Sequence, residues 1–142
     1  MSEEALPIEL RMGLRAGSVF YFQTRELSSP EPHFFVVMNR DPLGTRLLLL
    51  TIVTSKLDKV RLRNRERPET VVEITPAEYD EFRVVSAIDC NVVLEKPLSD
   101  LADLVKRKQV RYHKDMPGPL FEKIRASVLA SPVLAEELKQ LL

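Results

Sequence analysis

The chain contains one cysteine, Cys90, no tryptophan and four glycines in 142 residues. One thiol cannot close an internal disulfide, which fits a reducing compartment. Four glycines leave little material for a phosphate-cradling loop, and no Gly-rich motif is present. One cysteine and two histidines, His33 and His113, fall short of the ligand sets of zinc sites, so no metal and no cofactor is expected. The longest apolar run, Leu47 to Val53, is strand-sized, far below the roughly 20 residues a membrane helix needs. Met-Ser-Glu-Glu at the start places acid where a secretory signal carries Lys or Arg, so the expected location is the cytoplasm, with no membrane partner. Net charge is missing too: 21 basic and 21 acidic residues cancel, and the whole molecule exerts no long-range pull on nucleic acid.

What remains is 44% hydrophobic and 30% charged, the mixture of a folded chain, at a length that suits one domain. Ser18 to Thr24, His33 to Asn39, Leu47 to Thr54 and Thr70 to Ile74 read as strands from their β-branched and aromatic content. The first three form an antiparallel meander, joined by the Ser28–Pro32 loop and a turn at Asp41-Pro42-Leu43-Gly44. Residues 56–69 read as a basic loop, with Val60-Arg61-Leu62-Arg63 as a short edge strand. Thr75-Pro76-Ala77-Glu78 has the pattern of a capping box opening a short helix that ends near Phe82. Arg83 to Ile88 and Val92 to Glu95 read as two strands about a turn at Asp89-Cys90-Asn91. After Pro97 the spacing becomes helical. Ser99 caps a helix with Leu101, Leu104 and Val105 on one side; Leu120, Ile124 and Val128 mark a second; Ser131-Pro132 opens a third. The expectation is an α+β fold: a small antiparallel β-barrel over 15–98 with a C-terminal helical extension over 99–142, forming one domain.

Candidate chemistry sits in a few places. His33 stands at a strand end beside the Pro-rich loop, where an imidazole near neutral pKa suits acid–base work; a strand-end histidine bonded to a carbonyl is the plainer reading. Thr54, Ser55 and Lys56 close the buried strand and could hold a phosphate, or simply form a turn. Lys56, Arg61, Arg63 and Arg65 belong to one basic cluster. Lys106, Arg107, Lys108, Arg111, His113 and Lys114 form another, in which His113 reads as a solvated group or a phosphate contact rather than a base.

These pieces, in this order, resemble the PemK/MazF-like toxins of toxin–antitoxin systems. The similar stretches are Arg15 to Phe22, His33 to Asn39, Thr51-Ile52-Val53-Thr54-Ser55-Lys56, and Ser86 to Asn91 continuing to Leu98-Ser99-Asp100-Leu101. The resemblance spans most of residues 15–105. It implies an SH3-like barrel, a homodimer, an antitoxin protein as partner, and metal-independent cleavage of single-stranded RNA. His33, Thr54 and Ser55 would then be catalytic, with Lys56, Arg61, Arg63 and Arg65 binding RNA. Two departures stand out. Pro32-His33-Phe34-Phe35 replaces the family's Arg-Pro-Ala/Val, and Val92 and Val93 follow Asn91 where active members carry arginine. Losing such a donor can lower a rate on the order of 10²–10³. Two other readings follow: a module of the same fold that binds RNA or a protein without cutting, and a tail whose Leu134, Leu138, Leu141 and Leu142 mediate assembly.

Overall fold

The computed structural model describes residues 6–27 and 29–142; the acidic N-terminus and Ser28 of the expected loop lie outside them. In chain order the elements are α1 (Ile8–Gly13), β1 (Val19–Phe22), β2 (His33–Val37), α2 (Pro42–Thr45), β3 (Leu47–Thr54), α3 (Leu57–Arg63), a 3-10 turn (Pro68–Thr70), β4 (Val71–Ile74), β5 (Ser86–Pro97), α4 (Leu98–Lys106), β6 (Arg111–His113), α5 (Gly118–Leu129) and α6 (Glu136–Lys139). The α+β expectation holds. Six strands form one antiparallel sheet in the order β4-β5-β3-β2-β1-β6, with the expected β1–β3 meander inside it. β4 and β6 are its two ends, and among the described residues no strand pairing joins them, so the sheet is not a hydrogen-bonded barrel.

β3 is apolar nearly throughout because both faces of the sheet are covered. On one face Val36, Met38, Leu49, Val72, Ile74 and Ile88 meet Leu120, Ile124 and Val128 of α5. On the other, Phe20, Phe22, Phe35, Val37, Leu48 and Leu50 meet Leu10 of α1 and Leu98, Leu101 and Ala102 of α4. The helices therefore lie on both faces, not gathered at one end, and α1 is an element the sequence reading lacked.

A strand apolar on both faces cannot take its register from hydrophobic pattern, since a slip exchanges leucine for leucine. Asn39, fully buried after β2, supplies the choice. Its amide nitrogen donates to the Leu47 carbonyl at 2.7 Å and Thr45 Oγ1 at 2.9 Å, and its Oδ1 accepts the Leu49 N–H at 3.2 Å.

Several local expectations change. Residues 57–63 are helical rather than an edge strand: Leu57, Val60 and Asn64 turn inward at helical spacing, while Leu62, which an alternating strand would bury, is 67% exposed. Residues 86–97 form one strand, not two. The Asp89-Cys90-Asn91 turn is instead a register irregularity, where Thr51 pairs with Val93 but Val53 with Ile88. Asp89 Oδ1 accepts the Asn91 N–H at 3.0 Å, a local bond that suits a kinked strand as well as a turn. The capping box at Thr75 and Glu78 forms in both directions, yet only one turn follows, because Tyr79 and Phe82 both enter the core. Pro97, not Ser99, stands before α4, and the Leu98 N–H is taken by the Arg46 carbonyl. Ser131 lies before a turn, with α6 starting at Glu136. Leu142 is buried, and Leu134, Leu138 and Leu141, partly buried, pack on the chain's own core.

A buried polar junction ties the tail and α3 to β5. Asn91 donates to Asn64 Oδ1 (2.9 Å) and Thr70 Oγ1 (2.7 Å) and accepts from Ser131 Oγ (2.7 Å). Asp89 pairs with Arg63 at 3.0 Å. Burial opposes ionisation of Asp89, but hydrogen bonds from Asn64, the Asn91 N–H, Arg63 and the Asn91 amide together hold its carboxyl below the usual carboxylate range.

Two outcomes are expected. Asn39→Ala strips partners from buried Leu47 and Leu49 backbone groups and lowers unfolding stability by about 1–3 kcal/mol in urea titrations. Asp89 has a folded pKa below its unfolded one, so its contribution is complete above the unfolded value and disappears as pH falls through the folded one. Melting profiles of the wild type should therefore lose stability on acidification below about pH 4, and Asp89→Asn should flatten that slope.

Candidate functional site

The register pinned by Asn39 places Phe35 opposite Ile52. Beyond this last pair the two strands run on to His33, at the start of β2, and Thr54, at the end of β3. The chain leaves the sheet at both points, and a cavity of about 660 Å³ opens there, lined by His33, Thr54, Ser55 and Lys56 together. Three of the four positions come from one strand end, as the sequence indicates; the fourth is brought by pairing.

The opposite wall is the segment after β4. Tyr79 is buried, and its hydroxyl donates to the Lys114 carbonyl, just past β6. Burial, reinforced by Glu81, Asp115 and Asp80, pushes the Tyr79 hydroxyl far above its ordinary pKa, so it remains a donor. The Lys114 N–H donates to Glu81 at 3.3 Å, and Lys114 Nζ pairs with Asp80. Phe82 packs edge-on against Tyr79 and Phe34 at 4.7 and 5.0 Å. These contacts bind the chain beyond one end strand of the sheet to the chain beyond the other.

The same clasp fixes the electrostatics. Asp80 and Glu81 face the cavity but are engaged by Lys114 and, for Glu81, by His113. Lys56, Arg83 and Arg111 also line it, and among the described residues their side chains make no ion pair or hydrogen bond. Glu31 is the acid on the wall that remains without a partner there. Three free cations against one free carboxylate make the cavity locally positive within a neutral molecule. Ser55 Oγ has no partner among the described residues, while Thr54 Oγ1 accepts the Lys56 N–H at 3.1 Å and keeps its own proton to donate. Among the described residues the buried His33 Nδ1 has no hydrogen-bond partner, so no carbonyl there makes the bond expected of a strand-end histidine. The tautomer that leaves only a lone pair stranded carries its proton on Nε2.

Arg61, Arg63 and Arg65 do not join this cavity. Arg61 binds Glu73 through two bonds of 2.7 and 2.6 Å, an interaction that raises its own pKa and lowers that of Glu73. Arg63 binds Asp89, and Arg65 lines a separate shallow hollow with Leu62 and Arg67. Arg83, Arg111 and His113 are the cavity residues the sequence reading passed over or underrated. His113 is partly buried, its side chain 20% exposed. The alternation Val110-Arg111-Tyr112-His113 is a period-two pattern that could have disclosed β6 and put Arg111 and His113 on one face. A second hollow, about 960 Å³, shares Tyr21, Pro32 and Arg111 with the first, so a groove continues past Arg111. Among the described residues no group of His, Cys, Asp and Glu is arranged to hold a metal ion, and no helix is long and apolar enough to cross a membrane.

No protein-family model and no curated protein sequence matches the chain. Among solved structures it is similar to a chain of the crystal structure of MazE-MazF from Deinococcus radiodurans, with 14% identity, 81% of this chain and 92% of that chain covered, and a TM-score of 0.51. At that identity the likeness is one of fold, and the fold is MazF-like, as the sequence resemblance implied.

Proposed function

We propose that this chain is a toxin-like module that takes single-stranded RNA into the cavity at the β2 and β3 ends and cleaves it without a metal ion. The observation that carries the reading is the set of free cations, Lys56, Arg83 and Arg111, around a cavity also lined by His33, Thr54 and Ser55. In such a reaction the neighbouring 2′-hydroxyl attacks phosphorus, and negative charge builds on the phosphoryl oxygens. Guanidinium and hydroxyl donors held in place ahead of that charge stabilise it. Arg83 and Arg111 offer the guanidinium groups that the family resemblance finds missing. Thr54, Ser55 and the Nε2–H of His33 add neutral donors. The sheet is then an SH3-like barrel clasped by side chains, and an antitoxin protein and a second copy of the chain are its partners.

Incubating the pure protein with mixed-sequence single-stranded RNA in EDTA should yield fragments. Arg111→Ala and His33→Ala should each slow cleavage on the order of 10²–10³. A second reading, a module that binds without cutting, draws on the buried, unbonded Nδ1 of His33, which cannot exchange protons with a substrate. It predicts intact RNA that is nevertheless retained, with salt sensitivity that drops by about 0.7 in log–log slope for each cation removed. RNA neither cut nor retained would reject both readings.

A further inference from the structure

Cleavage by a 2′-hydroxyl needs a group that accepts its proton, and His33 is poorly built for that task. Its Nδ1 is buried without a partner among the described residues, so the neutral ring offers an Nε2–H, a donor. The chain's other histidine lines the same cavity. His113 Nδ1 faces Glu81 Oε1 at 3.6 Å, and that carboxylate is itself anchored by the Lys114 N–H at 3.3 Å. The imidazole is held edge-on by Phe34 and Tyr21, with ring centroids 4.8 and 6.2 Å away. A carboxylate beside Nδ1 favours the proton there and leaves the Nε2 lone pair for chemistry.

We infer that His113, oriented by Glu81, is the general base of the cavity, and that His33 acts as a hydrogen-bond donor to the phosphate; this rests on the ribonuclease reading above. His113 Nε2 takes the proton of the 2′-hydroxyl as the O2′–P bond forms. The P–O5′ bond breaks, and the departing O5′ takes a proton from water. The hydroxide left behind recovers the proton held by His113. The products are a 2′,3′-cyclic phosphate and a 5′-hydroxyl end. Glu81 is a positioning residue in this scheme. Arg111, Lys56 and Arg83 stand with it on the cavity wall, and Glu9, Arg15, Lys114 and Asp115 line a neighbouring hollow that His113 also borders.

The test follows initial rates on a labelled single-stranded RNA in EDTA, from pH 5 to 9, with melting curves to establish folding. The expected wild-type rate rises through an inflection near neutrality and gives cyclic phosphate ends. His113→Gln should lose about 10²–10⁴ in rate together with that inflection, and added imidazole should restore part of the activity of His113→Ala. Glu81→Gln should move the inflection as well as lower the rate, which a merely structural role would not do. Should the histidine variants fail to fold, the wild-type profile decides: a rate with no inflection near neutrality overturns the inference. Wild-type cleavage that His113→Gln leaves undiminished overturns the inference alone. A wild type that leaves RNA intact overturns the ribonuclease reading and this inference with it.

Discussion

The Asn39 amide is the contact on which the rest of the architecture depends. β3 is buried on both faces and could pair with β2 in more than one register at little hydrophobic expense. One buried side chain, bonded to Leu47, Thr45 and Leu49, removes that freedom. The choice then travels along the hairpin. It brings His33 and Thr54 to one cavity at the far end, where apolar packing no longer constrains the chain and polar groups can collect. A structural amide at one end of two strands thus decides which side chains share a cavity at the other.

The second determinant is the clasp between the segments that follow the end strands. Tyr79, Asp80 and Glu81 all engage Lys114, Glu81 also meets His113, and the clasp has two consequences. Structurally, it draws the two ends of an open sheet together where no strand pairing does so. Electrostatically, it occupies Asp80 and Glu81 on the cavity wall, and among the described residues Lys56, Arg83 and Arg111 are left without ion-pair partners. Elsewhere the opposite holds: Arg61 and Arg63 are committed to Glu73 and Asp89, and these pairs fasten α3 onto β4 and β5. The surface pair on Glu73 contributes little to stability, being exposed, but it removes a cation from the pool available to a ligand.

This division explains what the sequence could and could not disclose. Strands β1 to β4 and helices α4 and α5 were legible because their apolar periodicity survives in the fold. The grouping of Thr54, Ser55 and Lys56 was legible because they are neighbours. The partnering of His33 with them depends on register, and no local pattern encodes Asn39 as the residue that fixes it. The basic cluster over 56–67 misled for a physical reason. Charge density along a chain does not tell which cations face acids across the fold, and Arg61 and Arg63 do. Val60-Arg61-Leu62-Arg63 also mimics a strand, although Asn64, a polar residue, completes the buried helical face. Asp89 and Asn91 read as turn formers, and they do serve a local backbone irregularity, but the strand runs on because both are satisfied by side chains from α3, the 3-10 turn and Ser131.

A neutral molecule with a few uncompensated cations in one cavity differs in kind from a basic nucleic-acid binder. With formal charge zero, attraction to a polyanion becomes appreciable only within about a Debye length of the cavity, roughly 8 Å at physiological ionic strength. Capture from a distance is therefore weak, and discrimination falls to what fits between the β2 and β3 ends and the Asp80–Val84 wall. The groove past Arg111 carries the same logic onward: its acids Glu26, Asp100 and Asp103 face Lys96 and Arg107, while Arg25 and Lys108 make no ion pair among the described residues. Both hollows thus engage most of their carboxylates internally, Glu31 excepted, and leave cations over. A flexible single strand can follow such a curved, intermittently positive path, whereas a rigid duplex would have to bridge the gaps between its cations.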